Sequence, residues 1–317
     1  MISALEWIGR HARGLLLAGL VLVPLLPSTG GALVPLLPVL IAVLTGMALS
    51  RLDPAAIVVA LADRRVLRPL GLGLVLFQPV VGAGLYLAGR GLGLDAGTVL
   101  LLVAFAASPP LTSGPNIALM LGYEGRLALL YMLAGTVLSP LMVPALLWGA
   151  GMELPTAPGA IAGRVFWMLA GGVVLGIVLR RTLGARRIAE GARAFDGVAA
   201  ILMVVFLVPV LDGVWDRVLA DPARAGWLAV LGVALNLGGN LAVRGLAGRM
   251  TTPGRARTLG LLFGNRNISV LLAALPFQPD LALFVALGQI PIYATPAILS
   301  ALDRHSGKGP GNRRSGD

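Results

Sequence analysis

Ten apolar stretches follow one another along the chain, separated by short segments that hold most of the charged residues. Most of them are close to the ~20 residues that an α-helix needs to cross the hydrocarbon core of a bilayer. The pattern predicts an all-α polytopic membrane protein with one transmembrane domain over residues 1–302. The ten predicted spans are approximately 12–27, 31–50, 68–89, 97–121, 126–149, 158–179, 194–212, 224–246, 256–276 and 280–302.

Three segments need a separate interpretation. The first stretch is short and follows Arg10 and Arg13, so a cleaved signal peptide is an alternative to a retained span. We favour the span, because almost no polar segment separates it from the second stretch. Residues 54–66 predict a short amphipathic helix on the membrane surface, and residues 303–317, rich in Gly, Arg and Ser, predict a disordered cytoplasmic tail.

The composition is that of a protein whose solvent is lipid. The 317 residues are 57% hydrophobic and 12% charged, whereas soluble domains carry roughly 25% charged residues. The absence of cysteine excludes disulfides and thiolate metal sites, and both histidines, His11 and His305, lie near the termini. We therefore predict no metal site and no cofactor.

The positions of the basic residues explain the net charge of +11 better than nucleic-acid binding does. Of the 25 Lys and Arg residues, 20 fall on the N-terminal side of the predicted spans and 4 on the opposite side. Basic loops remain in the cytoplasm. We expect a multi-pass protein of a bacterial-type inner membrane with both termini in the cytoplasm, which requires an even number of spans.

The predicted spans divide into two repeats of five, at about 12–149 and 158–302. Five is an odd number, so the repeats enter the membrane from opposite sides, as the inverted repeats of many secondary transporters do. The fourth span of each repeat contains helix-breaking residues, since proline lacks an N–H and clashes with the preceding turn. We predict that broken helices 4 and 9 cross near the midplane, with hinges at Pro109, Pro110, Gly114, Pro115 and Gly264.

Arg266 is the one basic residue that lies deep inside a predicted span. A central arginine costs about 2.5–3.5 kcal/mol on insertion scales, and all 14 acidic residues lie in loops, tails or segment ends. Two roles remain open, contact with an anionic substrate and capping of backbone carbonyls at the breaks. Half-helices that restart near Asn116 and Asn267 would also favour anions at their N-termini. The predicted substrate-binding residues are Arg266, Asn267, Asn265, Asn116, Thr112 and Ser113.

Three motifs resemble the bile acid:sodium symporter family and its bacterial relatives. They are Pro115-Asn116 at the first break, the run LSPLMVP at 138–144, and Gly264-Asn265-Arg266-Asn267 at the second break. The resemblance covers most of the chain and implies ten spans in inverted repeats, with crossing fourth and ninth helices. It also implies transport of an organic anion by alternating access.

The resemblance fails at the family's sodium ligands. Leu262 stands where the family has a sodium-binding Glu, and Arg266 where it has a Gln. The two hydroxyl positions of the fifth span fall on Ala128 and Met132, and a Gln of the third span aligns with Leu74, unless Gln78 replaces it. A guanidinium beside that site repels a cation, so we expect sodium coupling to be altered or lost.

Three classes of function follow. The first is a carrier whose partners are a small organic anion and the lipid bilayer, with no nucleic acid. The second is a non-transporting membrane binding or sensor protein on the same fold. An enzyme is not expected, because no acid/base pair or nucleophile site lies inside the predicted spans. The sequence leaves the oligomeric state open.

Overall fold

A computed structural model describes residues 2–152 and 156–305, whose regular elements are all helices, with no β-strand. The helices of the first half are α1 Ile2–Arg10, α2 Ala12–Leu22, α3 Leu37–Ser50, α4 Pro54–Ala62, α5 Arg64–Gly71, α6 Gln78–Gly91, α7 Ala96–Ala107, α8 Gly114–Met120 and α9 Gly125–Gly149. Those of the second half are α10 Pro158–Leu183, α11 Ala185–Glu190, α12 Ala192–Leu211, α13 Val214–Ala220, α14 Pro222–Val233, α15 Gly239–Ala247, α16 Pro253–Gly264, α17 Ser269–Ala274 and α18 Pro279–His305.

Six helical stretches of the described residues are long and apolar enough to cross a membrane, which makes this a polytopic membrane protein. Apolar side chains also cover much of the outer surface. Trp148 and Trp167, for example, are both 73% exposed, as expected where lipid replaces water. The six stretches are Leu67–Gly91, Gly125–Gly149, Pro158–Leu183, Ala192–Ala220, Pro222–Ala247 and Pro279–Arg304.

The N-terminal region differs from the sequence prediction. An additional helix, α1, precedes the first apolar stretch. Its axis is bent by 80° from that of the following helical segment, Gly14–Leu25. Counted together they are a seventh candidate span. The helix α1 packs on the start of α12 so closely that a Cβ at Gly197 would lie 2.0 Å from the carbonyl oxygen of Leu5.

Residues 54–66 form parts of two helices rather than one. The helix breaks at Asp63, whose carboxylate accepts a hydrogen bond at 2.8 Å from the backbone N–H of Arg65 and so caps α5. At the C-terminus, α18 continues three residues beyond the predicted end, to His305. The rest of the predicted tail, 306–317, lies outside the described residues.

Glycines bring α3 and α10 into backbone contact. A Cβ at Gly46 would lie 2.9 Å from the carbonyl oxygen of Gly172, and a Cβ at Gly176 would lie 3.0 Å from that of Gly46. Small residues at such an interface let helices associate by close packing where lipid removes the hydrophobic driving force. The high glycine content therefore has a structural use that soluble helices rarely need.

Two long helices contain π-helical segments, at Leu72–Phe77 before α6 and at Ala234–Gly238 between α14 and α15. These are the third predicted span of each repeat. Single-turn π segments widen a helix and occur frequently at functional sites. The second of them faces the broken helix α16–α17, where the candidate site lies.

Candidate functional site

The two interrupted helices meet each other at their breaks. The first break separates α7 from α8 and the second separates α16 from α17. The N–H of Leu111 donates to the carbonyl oxygen of Asn265 at 2.9 Å, and the N–H of Asn267 donates to that of Pro109 at 2.8 Å. The breaks thus form a short antiparallel bridge centred on Pro110 and Arg266. Each break supplies hydrogen-bond partners that the other would otherwise lack.

Local sequence explains why α7 stops and α8 starts. The Ser108 hydroxyl donates to the carbonyl oxygen of Ala104 at 2.7 Å at the end of α7, and the two prolines that follow cannot donate a helical N–H. Pro115 then stands in the first turn of α8, where proline is tolerated. At Gly114 a Cβ would lie 2.6 Å from the Leu262 side chain, so a larger residue would separate the two broken helices.

Arg266 lies at the centre of this junction and is only 1% exposed. Its Nε donates to the carbonyl oxygen of Phe263 at 3.0 Å, and its Nη1 donates to that of Ser108 at 3.0 Å. The guanidinium carbon also lies 4.6 Å from the centre of the Phe263 ring. The carbonyl-capping role that the sequence left open is therefore present in the structure.

The third guanidinium nitrogen, Nη2, is buried and has no hydrogen-bond partner among the described residues. The Tyr131 hydroxyl lies beside the guanidinium but outside hydrogen-bond geometry with Nη2, and it donates to the carbonyl oxygen of Gly73 at 3.4 Å. Within the described ranges no carboxylate forms an ion pair with Arg266. The junction thus holds a buried positive charge with one free donor nitrogen.

A small pocket lies beside Arg266, with a volume of about 20 Å³. This is room for one or two water-sized particles, far below the roughly 300–1,000 Å³ of sites for drug-sized ligands. Polar groups come from three side chains, and the rest of the wall is apolar or glycine. The lining residues are Phe105, Gly232, Asn236, Gly264, Arg266, Ile268, Phe284, Val285, Gly288, Gln289 and Ile292.

A buried amide network ties the second break to its neighbours. Asn236 Nδ2 donates to the carbonyl oxygen of Gly264 at 2.8 Å and to Asn265 Oδ1 at 3.3 Å. Asn236 Oδ1 accepts from the Thr295 hydroxyl at 2.7 Å. Asn265 Nδ2 donates to the carbonyl oxygen of Leu261 at 2.9 Å, so both ends of its amide are engaged. This network fixes the end of α16 against the π segment and α18.

Of the six predicted substrate-binding residues, Arg266 alone lines this pocket. Asn265 is fully buried next to it and bonded to protein. On the first break, Thr112 is half-buried, whereas Ser113 and Asn116 are exposed. Asn267 is half-buried, and its backbone joins the bridge.

The restarting half-helices differ in detail from the prediction. The helix α8 starts at Gly114 rather than near Asn116, and α17 starts at Ser269 rather than near Asn267. They have seven and six residues. Both are too short to develop a sizeable dipole, so the guanidinium and not the helix termini carries the positive charge of this junction.

Sequence reasoning missed the part played by Thr295, which is fully buried and bonded to Asn236. A threonine directly before Pro296 in an apolar helix was the available signal. Asn236 hydrogen-bonds between helices, through the carbonyl oxygen of Gly264. Asn240 is also buried, but its Nδ2 has no partner among the described residues.

Neither a scan against protein-family models nor a search of the curated proteins finds a match to this chain.

Proposed function

We propose that this protein is a secondary transporter of small organic anions, with the architecture of the bile acid:sodium symporter family that its motifs resemble. The observation that carries the proposal is Arg266, a buried guanidinium at the junction of two broken helices. One of its nitrogens has no hydrogen-bond partner in the part of the chain that the structure describes. Intramembrane charges are expensive and usually mark substrate or ion pathways. Broken helices at corresponding positions are typical of transporter binding sites.

Long-range ion pairs support ten spans with both termini on one side. In that topology every one of them joins residues on the same face of the membrane. On the side of the termini they are Arg51–Asp196, Arg180–Asp53, Arg244–Asp303, Arg257–Asp303 and Arg255–Glu124, and on the other side Arg224–Asp95 and Arg224–Asp280.

The ion pairs on each side of the membrane form one charged layer, and the spacing between the two layers supports the same ten-span topology. Arg224 and Arg244 lie near opposite ends of one helical stretch, and each pairs with an aspartate near the matching end of α18. Twenty residues of helix separate them, which corresponds to about 30 Å. This equals the roughly 30 Å thickness of the hydrocarbon core of a bilayer.

Corresponding irregularities support the two inverted repeats. The π segments fall in predicted spans 3 and 8, and the breaks fall in predicted spans 4 and 9. The π segment and the break of the first predicted repeat thus each have a counterpart at the same ordinal position of the second. Non-helical backbone at membrane depth is tolerated where it is buried in protein, and these breaks are bonded to each other.

Sodium coupling is not part of the proposal. The positions that the family uses for sodium hold Leu262, Ala128 and Met132, all at most 2% exposed and without a carboxylate. Sodium is a hard cation that needs oxygen ligands, and the Arg266 guanidinium would repel it. We infer that the fixed charge of Arg266 takes the place of the bound cation.

Substrate entry requires the helices around Arg266 to separate, because the pocket of about 20 Å³ is too small for an organic molecule. Alternating access supplies this movement, since the site opens to one side of the membrane at a time. The anionic group of the substrate then reaches Nη2 while Nε and Nη1 keep their bonds to the chain.

A ligand screen on the purified chain tests the proposal. Thermal unfolding in detergent is followed with a panel of mono- and dicarboxylates, in sodium sulfate and in potassium sulfate, for the native protein, Arg266→Gln and Arg164→Gln. A ligand of the folded state raises its apparent stability. Arg164 is the control, because it too donates to a carbonyl oxygen, that of Ala274, but is exposed.

We expect an anion that stabilises the native protein and the Arg164 variant equally in both salts, and the Arg266 variant not at all. Stabilisation only in sodium, or its persistence in Arg266→Gln, would exclude the proposed site. Uptake of that anion into proteoliposomes then separates a transporter from a binding or sensor protein, which would bind without accumulating it.

A further inference from the structure

Among residues 2–152 and 156–305, no carboxylate forms an ion pair with the buried Arg266 guanidinium. Asn236, which lines the same pocket, lies 12 residues after Arg224 and 8 before Arg244, or about 18 Å and 12 Å along the helix axis. The aspartates of the two charged layers pair with those arginines and not with Arg266. Both layers are farther from the pocket than the few ångströms over which an ion pair offsets the cost of burial.

We propose that the pocket beside Arg266 is a halide site that holds one chloride ion as the counter-ion of the guanidinium. The proposal goes beyond organic-anion transport, because it concerns the protein without substrate and stands whether or not the chain transports anything. The ion would accept the free N–H of Arg266 Nη2.

The chemistry of the pocket wall fits a monatomic anion. Its polar side chains are one guanidinium and two amides, Asn236 and Gln289, and no carboxylate lines it. The nearby oxygen of Asn236 already accepts from Thr295. The remaining wall consists largely of apolar side chains, among them Phe105 and Phe284. The amide nitrogens of Asn236 and Gln289 already donate to protein oxygens, so the guanidinium is the donor for a ligand. A cationic donor in a wall of low polarity favours a halide and disfavours a cation.

The size of the pocket selects among anions. A volume of about 20 Å³ admits a particle of one to two water-sized units. A chloride or bromide ion fits this limit, whereas sulfate, phosphate and organic acids do not. A water molecule would also fit and could accept the N–H of Nη2, but it would leave the buried charge uncompensated.

Halide dependence of stability is the first test. Thermal unfolding of the full chain in detergent is compared in potassium chloride, potassium bromide and potassium sulfate at constant ionic strength. We expect saturable stabilisation by chloride and bromide in the native protein and in Arg164→Gln. We expect at least a roughly tenfold loss of halide affinity in Arg266→Gln, because the charged donor is gone. Equal unfolding in all three salts would overturn the proposal.

Direct binding tests the stoichiometry and does not depend on a folded variant. Equilibrium binding of radioactive chloride to the native protein should reach one ion per chain, and anomalous diffraction from bromide-soaked crystals should place one bromide next to Arg266. Arg266→Lys keeps the charge and should keep measurable binding. A bromide elsewhere, or none, contradicts the proposal even if neither variant folds.

The outcomes separate this inference from the proposed function. Halide binding without stabilisation by any organic anion would support the halide site and contradict the transporter. If an organic anion stabilises the protein through Arg266 and no halide binds, the transporter would be supported and the halide site contradicted. If both bind, chloride should lower the apparent affinity for the organic anion competitively, because both need the Nη2 donor.

Discussion

Arg266 Nη1 donates a hydrogen bond to the carbonyl oxygen of Ser108 at 3.0 Å, across 158 residues of sequence. The bond joins the break between α7 and α8 to the break between α16 and α17. A second bond from Nε to the carbonyl oxygen of Phe263 holds the guanidinium in its own break. The same side chain therefore fixes the junction through two of its nitrogens, and its third, Nη2, has no hydrogen-bond partner among the described residues.

Replacement of Gly264 by alanine should disrupt the junction. A Cβ there would lie 2.3 Å from the carbonyl oxygen of Asn236, so the backbones of α16 and the π segment must separate. We expect a loss of about 3 kcal/mol of stability, as for an overpacked core, measured as a lowered thermal midpoint in detergent. Gly238→Ala is the matched control, because a Cβ at Gly238 meets nothing within 4 Å. Equal effects of the two substitutions would contradict the described packing.

The bond between Asn236 and Thr295 should appear in a double-mutant cycle. Asn236→Leu and Thr295→Val each remove one partner of a buried bond of 2.7 Å. Their effects on unfolding should couple by about 1 kcal/mol, in the upper range of bonds between membrane helices. The comparison cycle combines Asn236→Leu with Thr182→Val, because the Thr182 hydroxyl donates to a carbonyl oxygen of its own helix. Additive effects in the first cycle would show that the bond contributes nothing.

Asp303 should stabilise the end of α18 strongly. Its carboxylate is 5% exposed and accepts from the Tyr123 hydroxyl at 2.5 Å and from Arg244 Nη2 at 2.7 Å. Breaking a buried ion pair costs about 3 kcal/mol or more, so Asp303→Asn should lower the unfolding midpoint markedly. The exposed pair Arg186–Glu190 is the control, and Glu190→Gln should change stability by less than about 0.5 kcal/mol. A similar midpoint for both variants would refute a structural role for Asp303.

The absence of native cysteine allows a direct test of topology. Leu92 and Met250 are 76% and 58% exposed and lie in segments that ten spans place on opposite sides. In spheroplasts, Leu92→Cys should react with a membrane-impermeant maleimide, and Met250→Cys should react only after the membrane is opened. The opposite pattern would reverse the orientation, and reaction of both would contradict the span count.

The sequence was sufficient to predict features that depend on local chemistry. The breaks around Pro109 and Gly264 follow from residues that cannot continue a helix, and the burial of Arg266 follows from its position in an apolar run. Partners far apart along the chain were not predictable. Thr295 finds Asn236 across 59 residues, because three-dimensional packing places them together.

The extra helix α1 was missed for a different reason. It is amphipathic and buries none of its own residues, so no long apolar stretch marked it. The split of the surface helix at Asp63 depends on a capping bond that competes with helix continuation. The choice between capping and ligand contact at Arg266 depends on individual nitrogen atoms, which no sequence pattern resolves.

The affinity of the best stabilising organic anion, measured by isothermal titration, tests the central claim most directly. It is compared in sodium sulfate and potassium sulfate for the native protein and Arg266→Gln. Our account predicts equal affinity of the native protein in both salts and a loss of at least about tenfold in the variant, because a charge-assisted hydrogen bond disappears. Affinity that rises steeply with sodium, or that survives the loss of Arg266, would contradict an anion site built on this arginine.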